Sequence, residues 1–267
     1  MLEGLKVVEF ATYVAAPGCA AIMSDWGADV IKIESAGGDP MRGFYPDTAE
    51  SPGNPVFTMD NRGKRGVVLN TSTPDGRAAL IAILNDTDVF IANLRPGARK
   101  RARIDYDSLK AELPKLIYCS VSGYGLQGDD IDIPAFDITA FWTRGGVAAA
   151  TIPSDQRPFP CRPGFGDHVT ATATLSAVLA AIYERQKTGE GQSTFRSVEG
   201  GTKKETASRS ATATAVEAIQ AEEEALRQSE VAGKPQVGFG GDGAPAQHDL
   251  APRWHMNRLG ERRLRQP

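Results

Sequence analysis

Cysteine is scarce in this 267-residue chain: there are three, Cys19, Cys119 and Cys161, with no Cys-x-x-Cys spacing. That pattern supports neither a disulfide framework nor a structural zinc site, and it fits a reduced, cytoplasmic setting. The three histidines, His168, His248 and His255, have no metal-ligand spacing with one another. A continuous apolar run of the roughly 18 residues that a membrane span needs is absent. The first residues lead straight into a strand-like run, Lys6–Phe10, without the basic and then apolar stretches of a signal peptide. An excess of one charge is also lacking. Lysine and arginine total 30 against 33 acidic residues, a net charge of −3, which argues against a general nucleic-acid binder. No Gly-x-x-x-x-Gly-Lys-Ser/Thr loop is present, and no Gly-x-Gly-x-x-Gly follows the first strand, so ATP and NAD are unsupported. The Gly-x-Ser-x-Gly elbow of the α/β-hydrolases is missing too.

What is present is alternation. Strand-like runs at Lys6–Phe10, Ala28–Ile33, Gly66–Asn70, Asp88–Ala92 and Lys115–Val121 are separated by helical patterns. Those patterns fall at Pro17–Trp26, Thr73–Asn85, from Pro96, at Pro134–Arg144 and over 168–187. Residues 35–56 are rich in Gly, Pro, Ser and Asp and read as a long loop. Strands separated by helices predict an open, mostly parallel, Rossmann-like α/β sheet with helices on both faces. Ligands of such sheets bind beyond the C-terminal strand ends. Residues 1–192 are expected to form this domain. Residues 193–267 change character: few aromatics, weak periodicity, and five arginines between 253 and 265. They read as an irregular, disordered tail, with one helical pattern at Ala215–Gln228.

Asp167 is the leading chemical candidate. It follows Pro163-Gly164-Phe165-Gly166 and precedes a long Ala/Thr/Leu-rich segment. A carboxylate there meets free N–H groups and the positive end of a helix dipole, which is expected to lower its pKa. It can be a nucleophile or an N-cap, and the residues alone leave both open. Asp137 can cap its own helix, orient Asp167 or face solvent. In Asp88–Gly97, a strand end (Asn93, Leu94) meets a helix opened by Pro96, with Arg95, Arg99, Lys100, Arg101 and Arg103 close by. This suits an anionic, phosphorylated ligand, or it is a solvated basic helix.

Four segments together resemble the class III CoA-transferases, also called the carnitine CoA-transferase and bile-acid-inducible family. They are 2–17; 25–34 with Gly38-Asp39; Asn93-Leu94-Arg95-Pro96-Gly97; and Gly166-Asp167 with 187–192. The resemblance implies that Asp167 is the nucleophile, passing through aspartyl-anhydride and aspartyl-CoA intermediates. It implies CoA contacts at Ala15, Asn93, Leu94 and Arg101, and more loosely at Leu69. Ser35 stands where some members place an arginine. Coenzyme A and acyl-CoA then act as substrates beside a carboxylic acid, with no permanently bound cofactor and no metal. The family forms interlocked homodimers.

The same superfamily contains α-methylacyl-CoA racemases, whose histidine would fall at Phe136. Phenylalanine cannot move a proton, which lowers that alternative. A third reading is an inactive, truncated CoA-binding fragment. The family pattern stops at Gln192, and the shift beyond it is what a frameshifted or rearranged gene would produce.

Overall fold

The structure is a computed structural model. It describes residues 1–44, 53–153, 155–157, 159 and 162–198, and the backbone of Trp254–Met256 and Arg262–Leu264. Six strands form one parallel sheet: β1 (Lys6–Phe10), β2 (Asp29–Glu34), β3 (Arg65–Val68), β4 (Val89–Ala92), β5 (Ile117–Ser122) and β6 (Ser193–Ser197). Their order is β3-β2-β1-β4-β5-β6, the Rossmann order, in which strands are added outward from β1 on one side and then from β4 on the other, so that the strand order reverses between β1 and β4. The register places Val7 beside Val30 on one side and Val89 on the other.

Side chains alternate across the strands and so feed two cores. Val7, Val30, Val89, Ile91, Ile117 and Cys119 pack under α1 (Ala15–Asp25) and α7 (Phe165–Thr188). Val8, Ile33, Phe90 and Tyr118 pack against Leu80 and Leu84 of α3 (Pro74–Leu84) and Leu109 of a short helix, Tyr106–Leu109. Helices therefore cover both faces, as the alternation predicts. Small residues along α1, among them Ala16, Gly18, Cys19 and Ala20, are buried. At Gly18 an added Cβ would lie 3.1 Å from Ala171 Cβ, so α1 and α7 sit close together. By length and hydropathy α7 meets the measure of a membrane span, although threonines and other polar residues interrupt its apolar run. In this fold it is a core helix, with Thr170, Ala171, Thr174, Leu175, Val178 and Ala181 buried.

Two findings depart from expectation. The Gly/Pro-rich stretch holds a 3-10 turn at Pro40–Gly43, and α2 (Pro55–Asn61) begins in its last two residues, capped by the Asn54 side chain on Phe57 N. The sheet also runs past Gln192, because Ser193–Ser197 pairs with β5 as its sixth strand. The helical pattern at Ala215–Gln228 and most of the tail lie outside the described residues. Within the unit Ala218–Pro267, Trp254–Met256 and Arg262–Leu264 pair as an antiparallel ladder.

Candidate active site

A cleft of about 360 Å³ opens beyond the C-terminal ends of β1 and β4, where the strand order reverses. Its floor is made of the turns after β1 (Thr12–Ala15) and β4 (Asn93–Pro96) and the end of β5 (Val121–Gly123). Ile131, Ile133, Pro134, Ala135 and Phe136 form an apolar wall, and Asp167 also lines the space.

The two turns are tied by a reciprocal pair: Thr12 N donates to Asn93 Oδ1 (2.9 Å), and Asn93 Nδ2 donates to Thr12 O (2.7 Å). Tyr13 follows with φ +67°, a left-handed conformation that costs a residue other than glycine of order 1–3 kcal/mol. Asp39 helps to hold it there. Its Oδ1 accepts from Tyr13 N (3.1 Å), and its other oxygen lies 2.9 Å from Lys32 Nζ. Lys32 also pairs with Glu9 (2.7 Å) and donates to Ala11 O. Lys64 completes this group on the second Glu9 oxygen. All four side chains are at most 3% exposed, so each charge is balanced by a neighbour rather than by water. The Tyr13 ring stands edge-on to Phe136, with centroids 5.6 Å apart.

Asp167 is the third residue of α7, whose N-cap is Gly164 at φ +82°. It is thus not the cap. The capping acceptor comes from elsewhere: buried Asp137, just before the π-helical turn Ile138–Arg144, takes a hydrogen bond from Gly166 N at 3.0 Å. Glycine is required at 166, because a Cβ would fall 2.2 Å from Phe141 Cγ and 2.5 Å from Asp137 Oδ1. No donor among the described residues hydrogen-bonds the Asp167 carboxylate. The expected lowering of its pKa is reversed, and it is pushed up to about 7. Burial is the main cause; the Asp137 and Asp60 charges add to it, and His168 opposes it. The dipole effect at a helix end, worth 0.3–1 kcal/mol at most exposed sites, is outweighed. Burial likewise raises Asp137, against the pull of the N–H groups at the start of α7.

Of the residues singled out by resemblance, Ala15, Asn93, Leu94 and Asp167 meet in the cleft. Leu69 and Arg101 do not line it. Leu69 packs into the second core, and Arg101 is exposed on α4 (Pro96–Arg101). In the basic run, Arg95 lines the cleft, while Arg99 is buried against Tyr118 Oη and Ser120 Oγ. No local signal in the sequence shows that Tyr13 lines the cleft, that Asp39 holds its turn or that Asp60 meets His168. Among the described residues, no group of three His, Cys, Asp or Glu side chains is placed to hold a metal ion.

The family model for CoA-transferase family III matches residues 2–230. The chain belongs to that family. Among curated relatives of this CoA-transferase family, it is 39% identical over 195 residues to a (R)-2-hydroxy-4-methylpentanoate CoA-transferase from Clostridioides difficile. That match covers 72% of this chain and 49% of the relative. It is 37% identical over 198 residues to a cinnamoyl-CoA:phenyllactate CoA-transferase from Clostridium sporogenes, covering 72% and 47%. A crystal structure of a CAIB/BAIF family protein from Brucella suis superposes with a TM-score of 0.69 at 34% identity, covering 74% of this chain and 53% of that one. The chain spans about half the length of the curated relatives it matches.

Proposed function

We propose that this protein transfers coenzyme A between an acyl-CoA thioester and a carboxylic acid, with Asp167 as the nucleophile. The observation that supports this most is the placement of one carboxylate, without a hydrogen-bond donor among the described residues, beside the cleft where the strand order of the sheet reverses. An oxygen of Asp167 attacks the thioester carbonyl, the C–S bond breaks, and a mixed anhydride and CoA thiolate result. The thiolate attacks the aspartyl carbonyl and releases the first acid as its carboxylate, leaving an aspartyl-CoA thioester. The acceptor carboxylate attacks that thioester, and a second anhydride and free thiolate form. The thiolate then takes the acceptor's acyl carbon, which regenerates Asp167. Each step exchanges acyl groups, and none requires an oxidant or a metal.

Asn93 and Leu94, with Ala15 across the cleft, are suited to line the path of the CoA arm. Arg95 is the basic side chain at the cleft suited to a phosphate. The wall of Ile131, Ile133 and Phe136 favours an apolar acyl group. Relatives that act on branched or aromatic acids agree with that wall. The reading carries with it a cytoplasmic setting and a homodimer. It is tested by steady-state CoA transfer from a panel of apolar acyl-CoAs. Asp167→Ala is expected to abolish turnover, and undiminished turnover in that variant excludes the mechanism.

A further inference from the structure

His168 follows the nucleophile in sequence and takes no part in the steps above. Its Nδ1 lies 2.7 Å from the Gly164 carbonyl oxygen, and its Nε2 lies 3.1 Å from Asp60 Oδ1. A neutral imidazole offers one N–H and one lone pair, so it can donate to only one acceptor. Both neighbours are acceptors: the carbonyl has no proton to give, and neither has an ionised carboxylate. The imidazolium alone donates to both. Asp60 is 1% exposed in α2, and its second oxygen has no hydrogen-bond partner. The pair lies against Gly18 of α1, where an added Cβ would be in ordinary contact with Asp60 Oδ1 at 3.4 Å and His168 Cδ2 at 3.8 Å. The left-handed turn at Gly164 directs its carbonyl oxygen at the ring.

We propose that His168, held as an imidazolium between Gly164 and Asp60, is a positioning residue whose charge favours the ionised form of the neighbouring Asp167 carboxylate. It is the cation among three carboxylates: Asp60 of α2, Asp137 before the π-helical turn, and Asp167 of its own helix. Lys64, the other cation near Asp60, is committed to Glu9 and to the backbone oxygens of Pro17 and Asp60. The hydrogen bond to Asp60 pushes the His168 pKa up, and the His168 charge in turn lowers that of Asp167. The role in transfer rests on the nucleophile reading, whereas the electrostatic link does not.

Side-chain ¹⁵N spectra of His168 and ¹³C-carboxyl spectra of Asp167, recorded on the full chain from about pH 5 to 9, test this. Both His168 nitrogens are expected to carry protons through neutral pH. His168→Asn is expected to cut the ratio of ionised to neutral Asp167 at pH 7 by roughly three- to tenfold. Asp60→Asn is expected to let His168 lose its proton at lower pH. A single-N–H tautomer at pH 7 in the unmodified protein overturns the proposal. So does an Asp167 titration that His168→Asn leaves in place. His168→Gln serves if the asparagine variant does not fold, and the tautomer measurement needs no variant. A CoA adduct on Asp167 with unchanged titrations removes the role of His168 alone. Shifted titrations without an adduct remove the nucleophile role and leave the electrostatic link standing.

Discussion

Two groups of buried charge lie near the cleft. In the first, Glu9 sits between Lys32 and Lys64, and Lys32 also holds Asp39, so two cations face two carboxylates. In the second, the His168 imidazole pairs with Asp60 alone and acts on Asp137 and Asp167 only through its charge, and both Asp60 and Asp137 keep an oxygen without a hydrogen-bond partner among the described residues. The matched group fixes backbone, because its hydrogen bonds end on Ala11 O and Tyr13 N, which set the β1 turn. The unmatched group holds a carboxylate whose proton is released near neutral pH. Matched buried charge specifies geometry here, and unmatched charge supplies reactivity.

The sharpest separation of the two groups is Asp167→Ala. Transfer is expected to fall by roughly ten-thousandfold with no loss of fold, measured as turnover beside urea unfolding. In the matched group Lys32→Met should act the opposite way. Stripping the cation from two buried carboxylates is expected to cost about 3–5 kcal/mol in a urea titration. A cost no greater than that of a surface substitution would break the comparison.

How much of this can be read from the sequence follows the same division. The five strand patterns and the long helix of Asp167 are visible because apolar spacing is a local signal. Asn93 and Leu94 are visible as a strand end before a proline-opened helix. The matched and unmatched groups are not visible, because their partners are remote: Asp60 and His168 are 108 residues apart. The helix that carries Asp60 has seven residues, too few for periodicity to show at the end of a Gly/Pro-rich stretch. The sixth strand, Ser193–Ser197, has one fully apolar position, Phe195, and is called into the sheet by β5 rather than by its own pattern. Asp167 itself is legible, but its pKa is not. Helix position argues for a lowered value, and only the surrounding burial and carboxylates reverse it.

Smaller effects sharpen the picture. Asn93→Ala removes both bonds between the β1 and β4 turns, each worth about 1 kcal/mol. The KM for acyl-CoA is expected to rise about tenfold while kcat changes less; the reverse split would move Asn93 from positioning the cleft to the chemistry.

Asp167→Asn is expected to stabilise the fold. A carboxyl held at about 7 in the folded state and near 4 when unfolded favours folding at low pH and loses that advantage as pH rises through 7. The gain should therefore be largest at pH 8, on the order of 1–2 kcal/mol after solvent screening, and smaller at pH 4.5. A gain that grows toward acid would contradict the raised value.

The smallest effect is that of His168. Its pKa is raised in the folded state, so its ion pair with Asp60 stabilises fully below the ordinary histidine range and fades as pH climbs through the raised value. Comparing the melting temperatures of the unmodified protein and Asp60→Asn across that range should show the difference narrowing with rising pH.

A nucleophilic Asp167 has to become covalently joined to coenzyme A during turnover. Mass spectrometry of peptides after brief incubation with apolar acyl-CoAs tests it most directly. A CoA-mass adduct is expected on the peptide containing Asp167, lost on hydroxylamine treatment and absent from Asp167→Ala. Transfer that proceeds with no adduct at Asp167 would contradict it.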